Sequence, residues 1–477
     1  METQNPFRLL PQVDEVLTRP VVTPFVERVG RDLCRRFVQD VLGDWRGEIA
    51  EGLLDADGVR ARLEASLEPG GLVESLRAKV DEEAGRGVVP AVNVSGVVLN
   101  TGLGRAPVHP EAAAAMAAVA GGFCVLEVDR YSGKRNRRDE RLSELLTRLT
   151  GCEAAIAVNN NAAATMLSLA TFAAGRQTIL SRGELVEIGG SFRMPDVMAQ
   201  AGTELVGVGA TNRTRLDDYR RALGPETGLL LKVHTSNFTM VGFTEETPME
   251  ELADLARANG LPSVYDLGAG FLNDGVPGLT PIAGLEGEPL LSDAIRSGAD
   301  VVTFSGDKLF GGPQAGIVAG NAGAIEDMRR NPLYRAMRLD KVSLAGLERT
   351  CELYLEGRGD ELPTRALLSR PPAELATAAE RLAERLAGTQ AVRDGRLVLT
   401  VEAGLSQPGS GSAPGTYLET TVVRAAPRGG SVDQVAARLR AGDPPVFARI
   451  AEEALALDPR TLLPGDEDRL VEAFGAL

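Results

Sequence analysis

Lysine is scarce in this 477-residue chain: Lys79, Lys134, Lys232, Lys308 and Lys341 are the only five among 51 basic residues, the rest being arginine. Arginine does not become a neutral nucleophile, so chemistry that needs a free amine has few candidates. Histidine is scarcer still, with only His109 and His234, which narrows acid–base options. Four cysteines, Cys34, Cys124, Cys152 and Cys351, stand far apart. None makes the CxxC or Cys/His spacing that zinc or thiol exchange needs, so reduced structural thiols and no metal site are expected. Positive charge is not in excess either. The net charge of −15 gives no overall cationic field toward nucleic acid or anionic membrane, and any polyanion must meet a local patch. The uncharged run Ala112 to Leu126 is alanine-rich, broken by Gly121-Gly122 and too short for a membrane span. The opening Met1-Glu2-Thr3-Gln4-Asn5 is acidic and polar, unlike a targeting segment. No fixed-period repeat or heptad run occurs. A cytoplasmic protein without membrane contact is expected.

Hydrophobic residues make up 44% and charged residues 25% of the chain, an ordinary globular balance, and the length suggests about three domains at roughly 150 residues each. From Val13 to about Gly85, Phe25, Val29, Leu33, Phe37 and Val41, then Leu53, Leu63 and Leu67, recur at helical spacing. Glu82 to Gly87 has a linker's composition, so residues 1–87 read as a helical N-terminal domain and linker. Beyond it the runs Ala154–Val158, Thr178–Leu180, Glu204–Val208, Leu229–Val233, Val264–Leu267, Val301–Phe304 and Gly316–Ala319 alternate with amphipathic stretches. This predicts a mainly parallel, doubly wound α/β domain over 88–338, with ligands gathered outside the carboxyl ends of the strands. Residues 339–477 begin with a helix through Tyr354, then show strand-like Arg396–Glu402 and Tyr417–Arg424 around the Gly/Ser-rich loop Leu405–Ser412, a small α+β domain.

Lys308 lies in Thr303-Phe304-Ser305-Gly306-Asp307-Lys308-Leu309-Phe310-Gly311-Gly312, a strand end set in glycine. An amine held there in an apolar cleft loses solvation, its pKa falls, and it can bond to an aldehyde cofactor; the plainer alternative is a solvated surface turn. Asp266, in Val264-Tyr265-Asp266-Leu267-Gly268, ends another apolar run. Buried, it needs a cationic partner, which in pyridoxal phosphate enzymes is the ring nitrogen; otherwise it caps a turn. Ala154–Val158 runs into Asn159-Asn160-Asn161 and a helix-forming stretch. Such a helix N-terminus can hold a phosphate dianion; the plainer alternative is capping by asparagine. In that order on one predicted sheet, the three favour a pyridoxal 5′-phosphate enzyme, with Ser305 at the strand end joining the cofactor set. Lys232 is the rival amine, disfavoured by its mid-strand place. His234 and Asn237, at that strand's exit, are placed to contact the cofactor ring, the alternative for His234 being a satisfied core histidine. Arginine, the natural fork for tetrahedral oxyanions, recurs at Arg105, at Arg135, Arg137 and Arg138, and at Arg335 and Arg338. The middle group could meet a polynucleotide backbone or be a solvated face.

These segments together resemble the bacterial selenocysteine synthases, the L-seryl-tRNA(Sec) selenium transferases, which are fold-type I pyridoxal phosphate enzymes. The likeness runs from Asn93-Val94-Ser95-Gly96-Val97-Val98-Leu99 through Ser181-Arg182-Gly183-Glu184-Leu185-Val186-Glu187-Ile188-Gly189-Gly190, Ala210-Thr211-Asn212-Arg213-Thr214 and Val233-His234-Thr235-Ser236-Asn237-Phe238 to the Lys308 segment. It extends to Leu405-Ser406-Gln407 and Gly409-Ser410-Gly411-Ser412. Asn100-Thr101-Gly102 stands where the family often has His-Thr-Asn, and Ala269 where it often has serine. The resemblance implies a large domain of the fold-type I class, a small C-terminal domain and a helical tRNA-binding N-terminal domain. It also implies conversion of seryl-tRNA(Sec) to selenocysteinyl-tRNA(Sec) by β-elimination to an aminoacrylyl-tRNA and addition of selenium from selenophosphate. Lys308 would hold the cofactor and move the Cα proton, and Asp266 would stabilise the electron-rich ring. Arg105, Arg335 and Arg338 would clamp selenophosphate. Arg28, Arg31, Arg35 and Arg36 would make a local positive face for tRNA, although Glu27, Asp32 and Asp40 among them allow an ion-paired helix instead. A homodecamer, a pentamer of dimers, is implied as well. The competing reading is a small-molecule lyase on the same scaffold; a catalytically silent tRNA-binding protein would not need Lys308 and Asp266.

Overall fold

The structure, a computed structural model, describes residues 5–65, 70–190, 192–273, 275–409 and 411–477. Leu67, Ser410 and the opening Met1–Gln4, all singled out from sequence, lie outside the described residues. The chain divides into two compact units, one of residues 1–92, 434–446 and 476–477, the other of residues 93–433 and 447–475.

The first unit is built on helices α1 (Val13–Leu17), α2 (Thr23–Val29), α3 (Arg31–Ala50), α4 (Ala56–Glu64) and α5 (Leu72–Ala84). Gly30, at φ +83°, separates α2 from α3, a left-handed turn that glycine makes without strain. α3 buries Cys34, Val38, Val41, Leu42, Trp45 and Ile49, a stripe at intervals of three and four that lies on one helical face. Leu72, Leu76 and Val80 of α5 pack against it. Phe25, Val29 and Phe37 are only partly buried on this core. α5 also runs through Glu82–Ala84, half of the stretch whose composition suggested a linker.

The second unit holds strands β1 (Val97–Leu99), β2 (Ala154–Val158), β3 (Gln177–Ser181), β4 (Glu204–Val208), β5 (Thr227–Val233), β6 (Ser263–Gly268), β7 (Val301–Ser305), β8 (Gly316–Gly320), β9 (Leu397–Gly409), β10 (Leu418–Pro427), β11 (Arg449–Ala451) and β12 (Ala454–Leu457). Seven form the main sheet in the order β2-β8-β7-β6-β5-β3-β4. Its pairs are parallel except that β8 runs antiparallel to both β7 and β2. Strands β5 to β8 are buried at every residue, as a sheet covered on both faces requires. On one face Ala157, Leu230, Val302 and Ile317 pack with Leu142, Leu145, Leu146 and Leu149 of the amphipathic helix Glu140–Thr150. On the other, Val158, Leu231, Val264 and Val318 pack with Leu167 and Leu169 of the helix Asn161–Phe172. Successive strand residues face opposite layers, so the period of two in side-chain direction sorts the two cores. A fold-type I mainly parallel sheet is thus in place, with one antiparallel strand.

The smaller sheet has the order β11-β12-β10-β9-β1. β9 and β10 form a long antiparallel pair, and β9 continues to Gly409 beside Leu99 of β1. Most of the stretch read from sequence as a Gly/Ser loop is therefore strand. Among the described residues no helix is long and apolar enough to cross a membrane.

Candidate active site

Two ionisable side chains are buried at the carboxyl ends of neighbouring strands. Asp266, on β6, is 5% exposed, and Lys308, three residues past the end of β7, is 6% exposed. Asp266 Oδ1 accepts from Asn161 Nδ2 at 2.7 Å and from Thr303 Oγ1 at 3.2 Å, while Oδ2 accepts from Thr165 Oγ1 at 3.0 Å. Burial pushes the Asp266 carboxyl up, opposed by these donors and by Lys308. The Lys308 amine donates to the Gly411 carbonyl at 3.0 Å. Burial lowers its pKa, Asp266 works against that, and Arg105 works with it. The result is an amine biased toward its neutral form beside a carboxylate that has hydrogen bonds but lacks a cation of its own.

The asparagine triplet divides its work. Asn160 caps the following helix by accepting from the Ala163 N–H at 2.9 Å, Asn161 reaches Asp266, and the Asn159 amide faces the Met337 and Arg338 carbonyls at 3.2 Å. Gly316 lies so close that a Cβ there would come within 2.0 Å of the Asn160 carbonyl, which packs β8 tightly against the start of the helix. His234 follows β5, its N–H donating to the Asp266 carbonyl at 2.9 Å. Its Nε2 is buried without a partner among the described residues, 3.8 Å from Glu288 Oε2. Asn237 is exposed, with its amide on the Glu187 carbonyl at 2.7 Å, and Ser305 is buried at the end of β7. Asn161 Oδ1 and Ser412 Oγ are likewise buried without partners among the described residues.

This donor set fits pyridoxal 5′-phosphate. Asp266 offers a buried anion for a cationic ring nitrogen, Lys308 an amine for an aldehyde, and the helix Asn161–Phe172 its positive end for a phosphate. The unpartnered polar atoms are groups that a polar ligand would satisfy.

Lys232 does not share this character. Its Nζ meets Glu184 at 3.3 Å, Glu246 at 3.2 Å and the Thr247 carbonyl at 3.0 Å. Burial acts to lower it, but the two glutamates outweigh burial and hold it above its usual value. It is a charged structural lysine. Beside it, Ser181, Gly183, Glu184, Thr211 to Thr214, His234 and Phe238 line a cavity of about 500 Å³ together with Glu288 and Ala413.

The arginines separate. Arg105, in the left-handed region at φ +64°, puts Nη1 2.9 Å from Asp307 Oδ2, next in sequence to Lys308. Arg335 and Arg338 instead line a cavity of about 470 Å³ with Arg135, Arg137, Arg138, Arg329 and Arg330. Arg335 is exposed, and Arg338 lies 3.5 Å from Glu127 with its Nε unpartnered among the described residues. On the N-terminal unit, Arg28 pairs with Asp81 at 2.5 Å, and Arg31 and Arg35 both meet Asp14, at 3.8 and 2.7 Å; Arg36 is exposed. His109 caps a helix, accepting from the Glu111 N–H.

Sequence reasoning missed Thr165, Thr303, Glu288 and Ser412. Thr165 is four residues past Asn161 and Thr303 two before Ser305, so helical and strand periodicity could have placed both beside Asp266. Glu288 carries no local signal, and Ser412 stood out only within the segment Gly409–Ser412, without a role.

The family described as L-seryl-tRNA selenium transferase matches residues 91–463, and the one described as selenocysteine synthase N terminal matches residues 7–46. The L-seryl-tRNA(Sec) selenium transferase of Moorella thermoacetica is 43% identical over 476 residues, 99% of this chain and 97% of its own. That of Solidesulfovibrio magneticus is 45% identical over 472 residues, 98% and 97%. Among solved structures, D-glucosaminate-6-phosphate ammonia-lyase superposes with a TM-score of 0.56 at 22% identity, over 82% of this chain and 95% of that one. At that identity the likeness is one of fold.

Proposed function

This chain belongs to the L-seryl-tRNA selenium transferase family, and on that premise we propose that the site around Asp266 and Lys308 carries out the family's reaction. The protein is a pyridoxal 5′-phosphate-dependent selenocysteine synthase, converting seryl-tRNA(Sec) to selenocysteinyl-tRNA(Sec). We take selenophosphate as the selenium donor, the cytoplasm as the location, and a pentamer of dimers as the assembly. The observation that carries the reading is a buried amine, shifted toward neutrality, beside a buried carboxylate with three side-chain donors, in a chain 43% identical to a named transferase along almost its whole length.

When bound, pyridoxal 5′-phosphate supplies an electron sink for the seryl Cα. Asp266 would hold the cation of the ring nitrogen, with Asn161, Thr165 and Thr303 orienting the carboxylate and favouring its ionised form against burial. The N-terminus of the helix Asn161–Phe172 would hold the phosphate, and His234 and Ser305 would contact the cofactor. Lys308 removes the Cα proton as a general base once its amine is free. The Cβ–oxygen bond of serine then breaks, the hydroxyl leaving as water with the proton taken from Cα; the selenium of selenophosphate bonds to Cβ as Cα regains a proton, and water cleaves the selenium–phosphorus bond to release phosphate. Arg105, Arg335 and Arg338 supply cations for that oxyanion, the last two from the arginine-lined cavity. The helical segment 1–87, with Arg28, Arg31, Arg35 and Arg36, contacts the tRNA.

Incubating the cofactor-loaded protein with seryl-tRNA(Sec) and selenophosphate, deacylating the RNA and identifying the released amino acid tests this. Selenocysteine is expected from the wild type and not from Lys308→Ala. Unchanged serine from the wild type, with cofactor bound and RNA intact, would move the reading to a small-molecule lyase.

A further inference from the structure

We propose that Ser412, on the short strap Gly411–Ala413 beside Lys308, selects an esterified carboxyl group over a free carboxylate; this rests on the seryl-transfer reading and deepens it. The strap is delivered by β9, whose last residue Gly409 lies so close to Leu99 that a Cβ there would meet the Leu99 carbonyl at 2.6 Å. Three contacts fix it. The Gly411 carbonyl accepts from Lys308 Nζ at 3.0 Å, the Ala413 N–H donates to Glu288 Oε2 at 2.9 Å, and Thr239 Oγ1 donates to the Pro414 carbonyl at 2.9 Å. Between them Ser412 is 1% exposed, and its hydroxyl has no partner among the described residues. Leaving a buried hydroxyl unpaired is unfavourable by about 1–3 kcal/mol, so the position is prepared for an incoming polar group.

Charge identifies that group. The Cα that gives its proton to Lys308 must come within about 3 Å of Nζ, and its carboxyl carbon is one bond further. The strap touches Nζ, so it borders the space this carboxyl occupies. The charged side chains that act on Lys308 are Asp266, Arg105, Asp307 and Glu288. Three are acidic, and the one cation, Arg105, pairs through Nη1 with Asp307 at 2.9 Å and is assigned above to the oxyanion of selenophosphate. A free carboxylate would meet the Gly411 carbonyl and Glu288 with no unengaged cation among these residues. An ester brings a neutral carbonyl oxygen, to which the Ser412 hydroxyl donates. Serine esterified to RNA has that group, and free serine does not.

The test is titration of the cofactor-loaded protein with L-serine, L-serine methyl ester and L-serinamide, following the cofactor's absorbance and referring each half-saturation to the unprotonated amine. The wild type should bind the ester and the amide at least about tenfold more tightly than serine. Ser412→Ala should weaken both by about three- to tenfold and leave serine and cofactor loading unchanged, with Ser412→Cys, which keeps the volume, intermediate. Equal binding of all three ligands by the wild type, or a Ser412→Ala titration that coincides with wild type or shifts all three alike, overturns the proposal. Turnover of seryl-tRNA(Sec) is measured alongside. Selenocysteine formed with an unshifted Ser412→Ala titration sinks only the ester selection, whereas no selenocysteine from wild type sinks the transferase reading itself.

Discussion

Asp266 sits 5% exposed with Asn161, Thr165 and Thr303 on its two oxygens, an arrangement that fixes the carboxylate but leaves its charge uncompensated until a cation arrives. Asp266→Asn keeps the shape and removes the charge. Cofactor should still load, because Lys308 and the helix N-terminus are untouched, while selenocysteine formation should fall about 10²–10³-fold or more, as when other preorganised electrostatic groups are lost. Activity within tenfold of wild type, measured on protein with full cofactor absorbance, would remove Asp266 from the proposed role. The positions of Asp266 and Lys308 were legible because each stands at the end of an apolar run with glycine beside it. Thr165, 101 residues from Asp266 in sequence, comes to it only when a helix packs on the sheet, and Thr303, 37 residues away, only when β7 pairs with β6. Ser412 and Glu288 meet the site through a strap whose path depends on two sheets, and no local pattern encodes that. Lys232, the rival amine, could be set aside for its mid-strand place, but the glutamates that hold its charge come from elsewhere in the chain.

At the scale of elements, the strands of the main sheet were readable because burial on both faces demands continuous apolar runs in its interior, and each run is in its expected place, including that of β4, a largely half-buried edge strand. The stretch from Leu405 to Gly409 was misread as loop: its glycine and serine content masks a strand held by pairing with β10 and β1. Pairing partners far away in sequence override weak local propensity. A helix can likewise carry a charge its neighbours disfavour. In the helix Lys341–Leu355, burial and the nearby Glu352 push the Glu348 carboxyl up to about 7, with Arg141 opposing. Between its ordinary value of 4.5 and that raised value, the folded state keeps a proton the unfolded chain has lost. Stability therefore falls as pH rises through that window and then levels off. Glu348→Gln removes this ionisation. In urea unfolding of the cofactor-loaded protein it should be close to wild type at pH 5 and more stable by about 1–3 kcal/mol at pH 8; an equal difference at both pH values would show that Glu348 does not titrate in this way.

For the whole molecule the tension is that a chain of net charge −15 must receive a polyanion. Affinity for RNA comes largely from cations that release counterions from phosphates, so what matters is which arginines are free to do so. In the N-terminal unit three of the four arginines expected to face RNA are tied up: Asp14 holds both Arg31 and Arg35, and Asp81 holds Arg28. Such exposed pairs are weak, about 0–1 kcal/mol each, so phosphate can displace the carboxylate, but each exchange lowers affinity. Asp14→Asn frees two of these arginines at once and makes the unit less acidic by one charge. If this face meets tRNA, the variant should bind seryl-tRNA(Sec) about two- to tenfold more tightly at 0.1 M salt. The gain should shrink as salt rises, because both the repulsion and the phosphate contacts are screened. Filter binding across a salt series decides it. An affinity equal to wild type at every salt would mean that Arg31 and Arg35 stabilise the helices and that RNA is met by other cations, the arginine-lined cavity with Arg135, Arg137 and Arg138 being the next surface to mutate.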